Sequence, residues 1–147
     1  MEGTGFTEVG GILNGQIVGG ATPSEIGIKI TGVNELSGSG QSLASIAVSS
    51  IDIQRAIQNG PVAGWIHSQP RGTAPSINDE NVSRFLSQFA GCPNHVVLIT
   101  DRNGINITGY LFTEGEFRLL RGLKIRMSDA VDARVSDRVA MLHYTDV

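Results

Sequence analysis

The segment GWIHSQPRGTAPSIND, residues 64–79, contains four side chains that could take part in metal binding or catalysis. They are His67, Gln69, Ser76 and Asp79. His67 and Gln69 alternate at the end of an apolar run, so in an extended strand their side chains point to the same side. Asp79 follows a loop and stands three residues after Ser76, where a helix can begin. Three protein ligands and a water make an open catalytic zinc site, with a nearby glutamate as the base. Here Gln69 stands where a second histidine would complete such a set.

The Ser-x-x-Asp pattern also has a purely structural explanation. Ser76 can cap the helix that follows, and Asp79 can accept from the backbone at the cap and favour the positive end of the helix dipole. From the residues alone, a metal-ligand role and a capping role for Asp79 both remain open. A single His67 near the surface does not by itself require a function.

Length and composition predict one globular domain over residues 1–147. Charged residues make up 17% and the formal net charge is −3, with no basic run that would favour binding to nucleic acid. Cys92 is the single cysteine, which excludes an internal disulfide and a cysteine zinc site and fits a reducing compartment. No apolar run approaches the ~18 residues of a membrane span, and the first residues do not resemble a signal peptide.

Hydrophobic periodicity predicts more strands than helices. Alternation or continuous apolar runs predict strands at 9–18, 25–33, 45–50, 62–67, 95–100, 105–112 and 116–123, with a hairpin turn at 101–104. In the segment 25–33, Ile26, Ile28 and Ile30 are expected on one face. The mixed order of elements favours an α+β (α/β-like) class built on one main sheet.

Three helices are predicted. The first covers residues 51–60, with Ile53 and Ile57 on one face. The clearest follows the site segment, where residues 82, 85, 86 and 89 are Val, Phe, Leu and Phe, and Gly91 and Pro93 end it. A last helix is expected from Ser128 as the N-cap, with valines at 131, 135 and 139 on one face.

Two segments together resemble the signatures of the MPN (JAB1/Mov34, JAMM-like) family. GWIHSQP followed by PSIND resembles its metalloprotease signature, which reads H-x-H-P, a loop, then S-x-x-D. TEVGGILNG, residues 7–15, resembles its other signature, a glutamate followed by an apolar strand that contains glycine. The order of elements resembles that of the family from about residue 8 to residue 112.

The resemblance implies a role for each matching residue. Glu8 takes the position of the catalytic glutamate, and Ser76 that of the serine that stabilises an oxyanion. His67 and Asp79 take two metal-ligand positions, and Gln69 replaces the second histidine. The site is therefore expected to be incomplete, with no cofactor or only weak or partial zinc, because an amide oxygen is a poorer zinc ligand than an imidazole nitrogen.

The resemblance also implies the MPN/JAB1 fold, one mixed curved sheet flanked by helices. Six residues separate Gln69 from Ser76, one fewer than the usual pattern has, so we expect the shorter loop to alter the approach of Asp79. Only seven residues precede Glu8, so the strand and helix that usually come before this glutamate are expected to be missing.

Three functions are compatible with this resemblance. The H-x-Q-P variant is similar to the MPN domain of a spliceosomal scaffold protein, which implies an inactive pseudo-protease that binds and regulates an RNA helicase in the nucleus. The second is a zinc-dependent isopeptidase or deubiquitinase acting on a ubiquitin-like protein, either active or inactivated by the Gln69 substitution, and the presence of Glu8, Ser76 and Asp79 favours it. Glu8 also counts against the splicing type, because the splicing domain does not keep that glutamate. The third is a non-catalytic MPN subunit of a lid-type complex. A protein partner is expected, without direct nucleic-acid or membrane binding, and the cytoplasm is the alternative location.

Overall fold

The computed structural model describes residues 10–19, 26–36, 48–69, 72–101, 106–121 and 123–127. Within them lie seven strands, β1 (Gly10–Val18), β2 (Gly27–Glu35), β3 (Val62–Ser68), β4 (His95–Thr100), β5 (Ile107–Thr113), β6 (Glu116–Leu120) and β7 (Lys124–Met127). The two helices are α1 (Ser50–Asn59) and α2 (Ile77–Phe89). The predicted α+β class with one mixed sheet is confirmed at this level.

All seven strands belong to one sheet, in the order β6-β5-β4-β3-β1-β2-β7. Strand β3 lies at its centre, antiparallel to β1 and parallel to β4. The other parallel pair is β2 with β7 at one edge. The β3–β4 crossover contains α2, as a parallel connection requires, and the site segment occupies the start of this crossover.

The sheet is curled, and the chain connection between its two edges requires this. Strands β6 and β7 are at opposite edges, yet only residues 121–123 separate them. A flat sheet of this size would place its edge strands about 29 Å apart, whereas four peptide steps span at most about 14 Å. A cluster of buried apolar side chains fills the inside of the curl, with contributions from both edges: Leu13, Ile28, Ile30, Ala63, Ile66, Val96, Leu98, Leu120 and Ile125.

The two helices pack on the opposite face of the sheet. There Ile53 and Ala56 of α1 and Val82 and Leu86 of α2 join a second core cluster around Trp65. Each helix begins with a complete capping box, Ser49 with Asp52 for α1 and Ser76 with Asp79 for α2. Helix α2 is therefore fixed along the site face of the sheet by its cap as well as by its apolar stripe.

A β-bulge lies between Asn14 and Gly15 of β1. Gly15 has φ +151°, and a Cβ there would collide with the Lys29 carbonyl oxygen, so glycine is required. The Asn14 amide donates to the carbonyl oxygens of Ala56 at 2.8 Å and Gly60 at 3.0 Å. This buried side chain ties the end of α1 to the sheet.

Most predicted elements that fall within the described residues are present, and Ile26, Ile28 and Ile30 do pack on one face. The strand at 45–50 is wrong where it can be compared, because Ser50 begins α1 and residues 48 and 49 lie in no strand. The predicted helical spacings hold in both helices, but the two faces are only partly buried, because Ile57 is 47% exposed and Phe89 is 52% exposed. In α1, Ala56 is buried together with Ile53.

One strand was not predicted, and several predictions fall outside the described residues. Strand β7 has four residues and pairs in parallel with β2, far away in sequence. Glu8, residues 102–104 of the hairpin turn and the helix expected from Ser128 lie outside the described residues. Neither of the two described helices is long and apolar enough to cross a membrane.

Candidate functional site

His67 lies near the end of the central strand β3 and is only 2% exposed. Its pairing partners are Gly10 in β1 and Ile99 in β4. A Cβ on Gly10 would lie 3.0 Å from the Ile66 carbonyl oxygen and 3.3 Å from the His67 Cβ. Glycine at position 10 therefore allows β1 to approach the backbone of His67 closely.

Asp79 serves the helix cap with one oxygen and faces His67 with the other. Its Oδ2 accepts from the Ser76 backbone N–H at 2.8 Å, and its own N–H donates to Ser76 Oγ at 3.1 Å. Its Oδ1 lies 3.1 Å from His67 Nε2. The capping role and the approach to His67 are therefore both realised in the same carboxylate, and the short loop does not keep Asp79 away.

The position of the proton on the His67 ring determines how Nε2 can interact with the Asp79 carboxylate. His67 Nδ1 lies 3.2 Å from the Ser68 carbonyl oxygen, which can only accept, so Nδ1 carries a proton. In a neutral ring Nε2 would then present a lone pair to the Asp79 oxygen. The two atoms are 3.1 Å apart, so this lone pair would face the carboxylate at ion-pair distance. A second proton on the ring, or a cation between the two atoms, would relieve the repulsion.

The separation of these two atoms also matches a pair of ligands on one ion. For an ion about 2.0–2.1 Å from each atom, a separation of 3.1 Å subtends about 100°, close to a tetrahedral angle. His67 and Asp79 therefore fit two ligand positions of a zinc ion.

Gln69 is used differently, because its amide holds the loop that follows. Its Nε2 donates to the Ala74 carbonyl oxygen at 2.8 Å and to the Gly72 carbonyl oxygen at 3.3 Å. Its backbone N–H donates to the Thr100 carbonyl oxygen at 3.0 Å and so extends the β3–β4 ladder. Both amide protons of the side chain are directed to the loop, which identifies Gln69 as a loop anchor.

The same loop is also fastened to β5. Tyr110 donates from its hydroxyl to the Thr73 carbonyl oxygen at 2.9 Å. The hydroxyls of Thr73 and Thr108 lie 2.6 Å apart. Together with Gln69, these contacts hold the described part of the loop, residues 72–76, in one arrangement beside His67.

Trp65 stacks on His67 from two residues earlier in β3. The ring centroids lie 4.7 Å apart with an interplanar angle of 12°. The Trp65 indole N–H donates to Ser83 Oγ at 3.0 Å, and Ser83 Oγ lies 3.0 Å from His95 Nε2. A buried polar chain therefore continues from the site into the core.

His95 is neutral in this chain. Burial lowers the pKa of His95 from 6.5 to about 4, against a smaller opposite effect of its hydrogen bond to the Cys92 backbone. His95 Nδ1 lies 3.1 Å from the Cys92 carbonyl oxygen and must donate to it. Nε2 therefore accepts from the Ser83 hydroxyl, which leaves the Ser83 oxygen free to accept from Trp65.

A complete three-ligand zinc site does not fit the described residues. No three His, Cys, Asp or Glu side chains converge anywhere in that part of the chain. Within the described residues, Cys92 does not join His67 and Asp79 in a group of three possible ligands. His67 and Asp79 can supply two ligands, one fewer than a catalytic zinc ion takes from protein.

Of the residues expected at the site, the structure brings together His67, Gln69, Ser76 and Asp79. Glu8 lies outside the described residues. Ser83, His95 and Tyr110 were not anticipated as neighbours of the site. The spacing of Ser83 four residues after Asp79, on the same helix face, was the one available signal.

Fold and site define an α+β domain with a buried His–Asp pair at a strand–loop–helix junction. No protein-family model matches the chain. No curated protein matches it either.

Proposed function

We propose that this chain is an inactive MPN-type pseudo-protease domain that serves as a protein-binding scaffold. The observation that carries the proposal is the engagement of Gln69, whose amide donates to the carbonyl oxygens of Gly72 and Ala74. The residue at the second histidine position thus stabilises the loop instead of offering a nitrogen to a metal.

The ligand chemistry supports this proposal. Among the described residues, His67 and Asp79 are the two strong ligands at the junction, and a neutral amide oxygen binds zinc more weakly than imidazole does. Catalytic zinc sites take three protein ligands and leave one position for water. Two ligands would hold the ion too weakly for an activated water to be present in most molecules.

Features of the fold are compatible with the MPN interpretation. The site lies at the end of the central strand β3, and Ser76 and Asp79 of the S-x-x-D pattern lie at the start of α2. The curled mixed sheet and the flanking helices agree with the expected architecture. These features add to the paired signatures around Glu8 and His67, on which the resemblance rests.

The surface beside the site suits a protein partner. Ile77, directly after Ser76, exposes 80% of its area, and the described part of the loop before it, residues 72–76, is held by hydrogen bonds from Gln69 and Tyr110. A rigid loop next to an exposed apolar side chain reduces the ordering cost of binding. A partner that covers the junction would bury Ile77.

The H-x-Q-P variant suggests which partner this is. It resembles the MPN domain at the C-terminal end of pre-mRNA processing factor eight, a spliceosomal scaffold that binds an RNA helicase. We therefore propose the corresponding helicase of the source organism as the partner and the nucleus as the location. Binding measured by calorimetry should weaken at least about tenfold in Ile77→Asp, the loss expected for a buried apolar contact. Ile51→Asp, at a 63% exposed position on α1, should leave the affinity unchanged; equal affinity for both variants would contradict a contact at Ile77.

The absence of peptidase activity is tested directly. Linked ubiquitin chains are incubated with the protein, with and without added zinc, and we expect no cleavage in either condition. Cleavage that disappears in Glu8→Gln would overturn the pseudo-protease proposal.

Zinc-dependent isopeptidase activity is the second candidate, and one distance favours it. His67 Nε2 and Asp79 Oδ1 lie 3.1 Å apart, as two ligands of one zinc ion do. A partner or a bound water would then have to supply the missing ligand. Activity that appears only with a partner protein, and is lost in both Asp79→Asn and Glu8→Gln, would support this candidate.

A further inference from the structure

The buried hydrogen bonds that link Trp65, Ser83 and His95 suggest how the ring of His67 is held. Trp65 and His67 are two residues apart on one face of β3, a spacing of about 6.6 Å. Ser83 and Asp79 are four residues apart on one face of α2, a spacing of about 6.0 Å. The two spacings match, so the helix contacts the strand at two successive points, Ser83 to Trp65 and Asp79 to His67.

We infer that Ser83 and His95 are positioning residues that fix the indole plane of Trp65 and, through stacking, the imidazole plane of His67. This inference concerns the placement of a side chain and does not depend on the proposed function.

The donor and acceptor of each hydrogen bond in this buried series follow from the two groups at its ends, the Cys92 carbonyl oxygen and the Trp65 indole N–H. The Cys92 carbonyl oxygen accepts from His95 Nδ1, so His95 Nε2 accepts from the Ser83 hydroxyl. The Ser83 oxygen then accepts from the Trp65 indole N–H. Each donor has one acceptor, and reversal of the Ser83 hydroxyl would leave His95 Nε2 without a donor.

Packing restricts the remaining freedom of these rings. Trp65, Ser83 and His95 are each 0% exposed, and His95 stacks on Phe112 with centroids 5.2 Å apart. With its N–H fixed by Ser83, the indole cannot rotate about its long axis without loss of a buried hydrogen bond. The plane of the stacked imidazole is restricted in turn.

The first test is nuclear magnetic resonance of the 147-residue chain with Ser83→Ala. We expect the Trp65 indole proton to exchange with solvent about tenfold faster, which corresponds to the loss of one buried hydrogen bond. We also expect the ring-proton signals of His67 to move away from their stacked position. Ser83→Thr keeps the hydroxyl and should restore both readouts.

Ser87→Ala is the matched control. Ser87 lies one turn further along α2, and its buried hydroxyl has no hydrogen-bond partner within the described residues. Removal of this hydroxyl should change neither the indole exchange nor the His67 signals. Equal effects of Ser83→Ala and Ser87→Ala on both readouts would overturn the inference.

A second measurement needs no variant, in case Ser83→Ala does not fold. The nitrogen shifts of His95 in the wild-type protein report which ring nitrogen carries the proton. We expect the proton on Nδ1 at neutral pH. A proton on Nε2 would reverse the Ser83 hydroxyl, remove the proposed direction of the chain and contradict the inference.

Discussion

His67 Nε2 and Asp79 Oδ1 lie 3.1 Å apart in a site where both side chains are almost fully buried. The other carboxylate oxygen accepts from the Ser76 backbone at 2.8 Å. The helix cap and the histidine contact therefore depend on one side chain. A capping role gives the chain a reason to keep Asp79 whether or not a metal binds.

Loss of the α2 cap should affect both stability and His67, whereas loss of the α1 cap should affect stability alone. Ser76→Ala and Ser49→Ala each remove one capping hydroxyl, so each should lower the free energy of unfolding by about 1 kcal/mol. Only Ser76→Ala should shift the ring-proton signals of His67, because the Ser76 hydroxyl accepts from the backbone N–H of Asp79, whose carboxylate faces His67. Denaturant titration and magnetic resonance check the two parts. Unshifted His67 signals in Ser76→Ala would contradict this coupling.

The loop-anchor role of Gln69 predicts a stability cost that is independent of any metal. Gln69→Met keeps the length of the side chain and removes both donations to the loop, so we expect a loss of about 1–2 kcal/mol in the free energy of unfolding. Urea denaturation measures this, with the slope of the transition unchanged. Gln58→Met, at an exposed position on α1, is the control and should stay within about 0.5 kcal/mol of the wild type. A similar small effect of Gln69→Met would show that the anchor contributes little.

His95 should make the protein less stable in acid. Its pKa falls from 6.5 to about 4 on folding, so between these values the unfolded chain binds the extra proton. The stabilisation is therefore complete above about pH 6.5 and is lost as the pH falls toward 4. With about 1.4 kcal/mol for each pH unit, the total is on the order of 3 kcal/mol.

The measurement is urea denaturation at several pH values for the wild type and His95→Phe. The variant keeps a ring against Phe112 but cannot titrate, so its stability should fall less between pH 7 and pH 4. The groups that titrate in both proteins cancel in the difference between the two curves. Parallel curves would exclude His95 as a source of the acid sensitivity.

Much of the local structure could be predicted because it depends on neighbouring residues. The Ser76 cap, the alternation in β2 and the site strand follow from patterns within a few residues. Strand β7 could not be predicted, because it has four residues and its pairing partner within the described residues is the distant strand β2. The exposure of Ile57 and Phe89 was missed because a helical period identifies a face without giving the width of the contact.

The site was predicted in its ligand positions but not in its surroundings. Spacing placed His67, Gln69 and Asp79 together, and left open whether Asp79 is a metal ligand or a helix cap. The donations from Gln69 to the loop and the contacts among Trp65, Ser83 and His95 depend on rotamers and on packing between distant segments. The periodicity of the sequence does not specify these contacts.

A histidine at position 69 should restore metal binding in part. His67 and Asp79 already lie at ligand separation, and residue 69 follows the same face of the strand. We expect Gln69→His to bind zinc at least about tenfold more tightly than the wild type, as befits a third strong ligand. Gln69→Met loses the same loop contacts without supplying a nitrogen and is the control for calorimetric titration. Equal zinc affinity in the two variants would mean that position 69 does not reach the ion.

The most direct test of the pseudo-protease proposal is the zinc content of the wild-type protein, purified without chelator at neutral pH. Two strong ligands and an amide committed to the loop predict that only a small fraction of the molecules carries zinc. The metal is counted by elemental analysis against the protein concentration, with Asp79→Asn as the background for adventitious ions. A content near one zinc per wild-type chain, lost in Asp79→Asn, would contradict the pseudo-protease proposal.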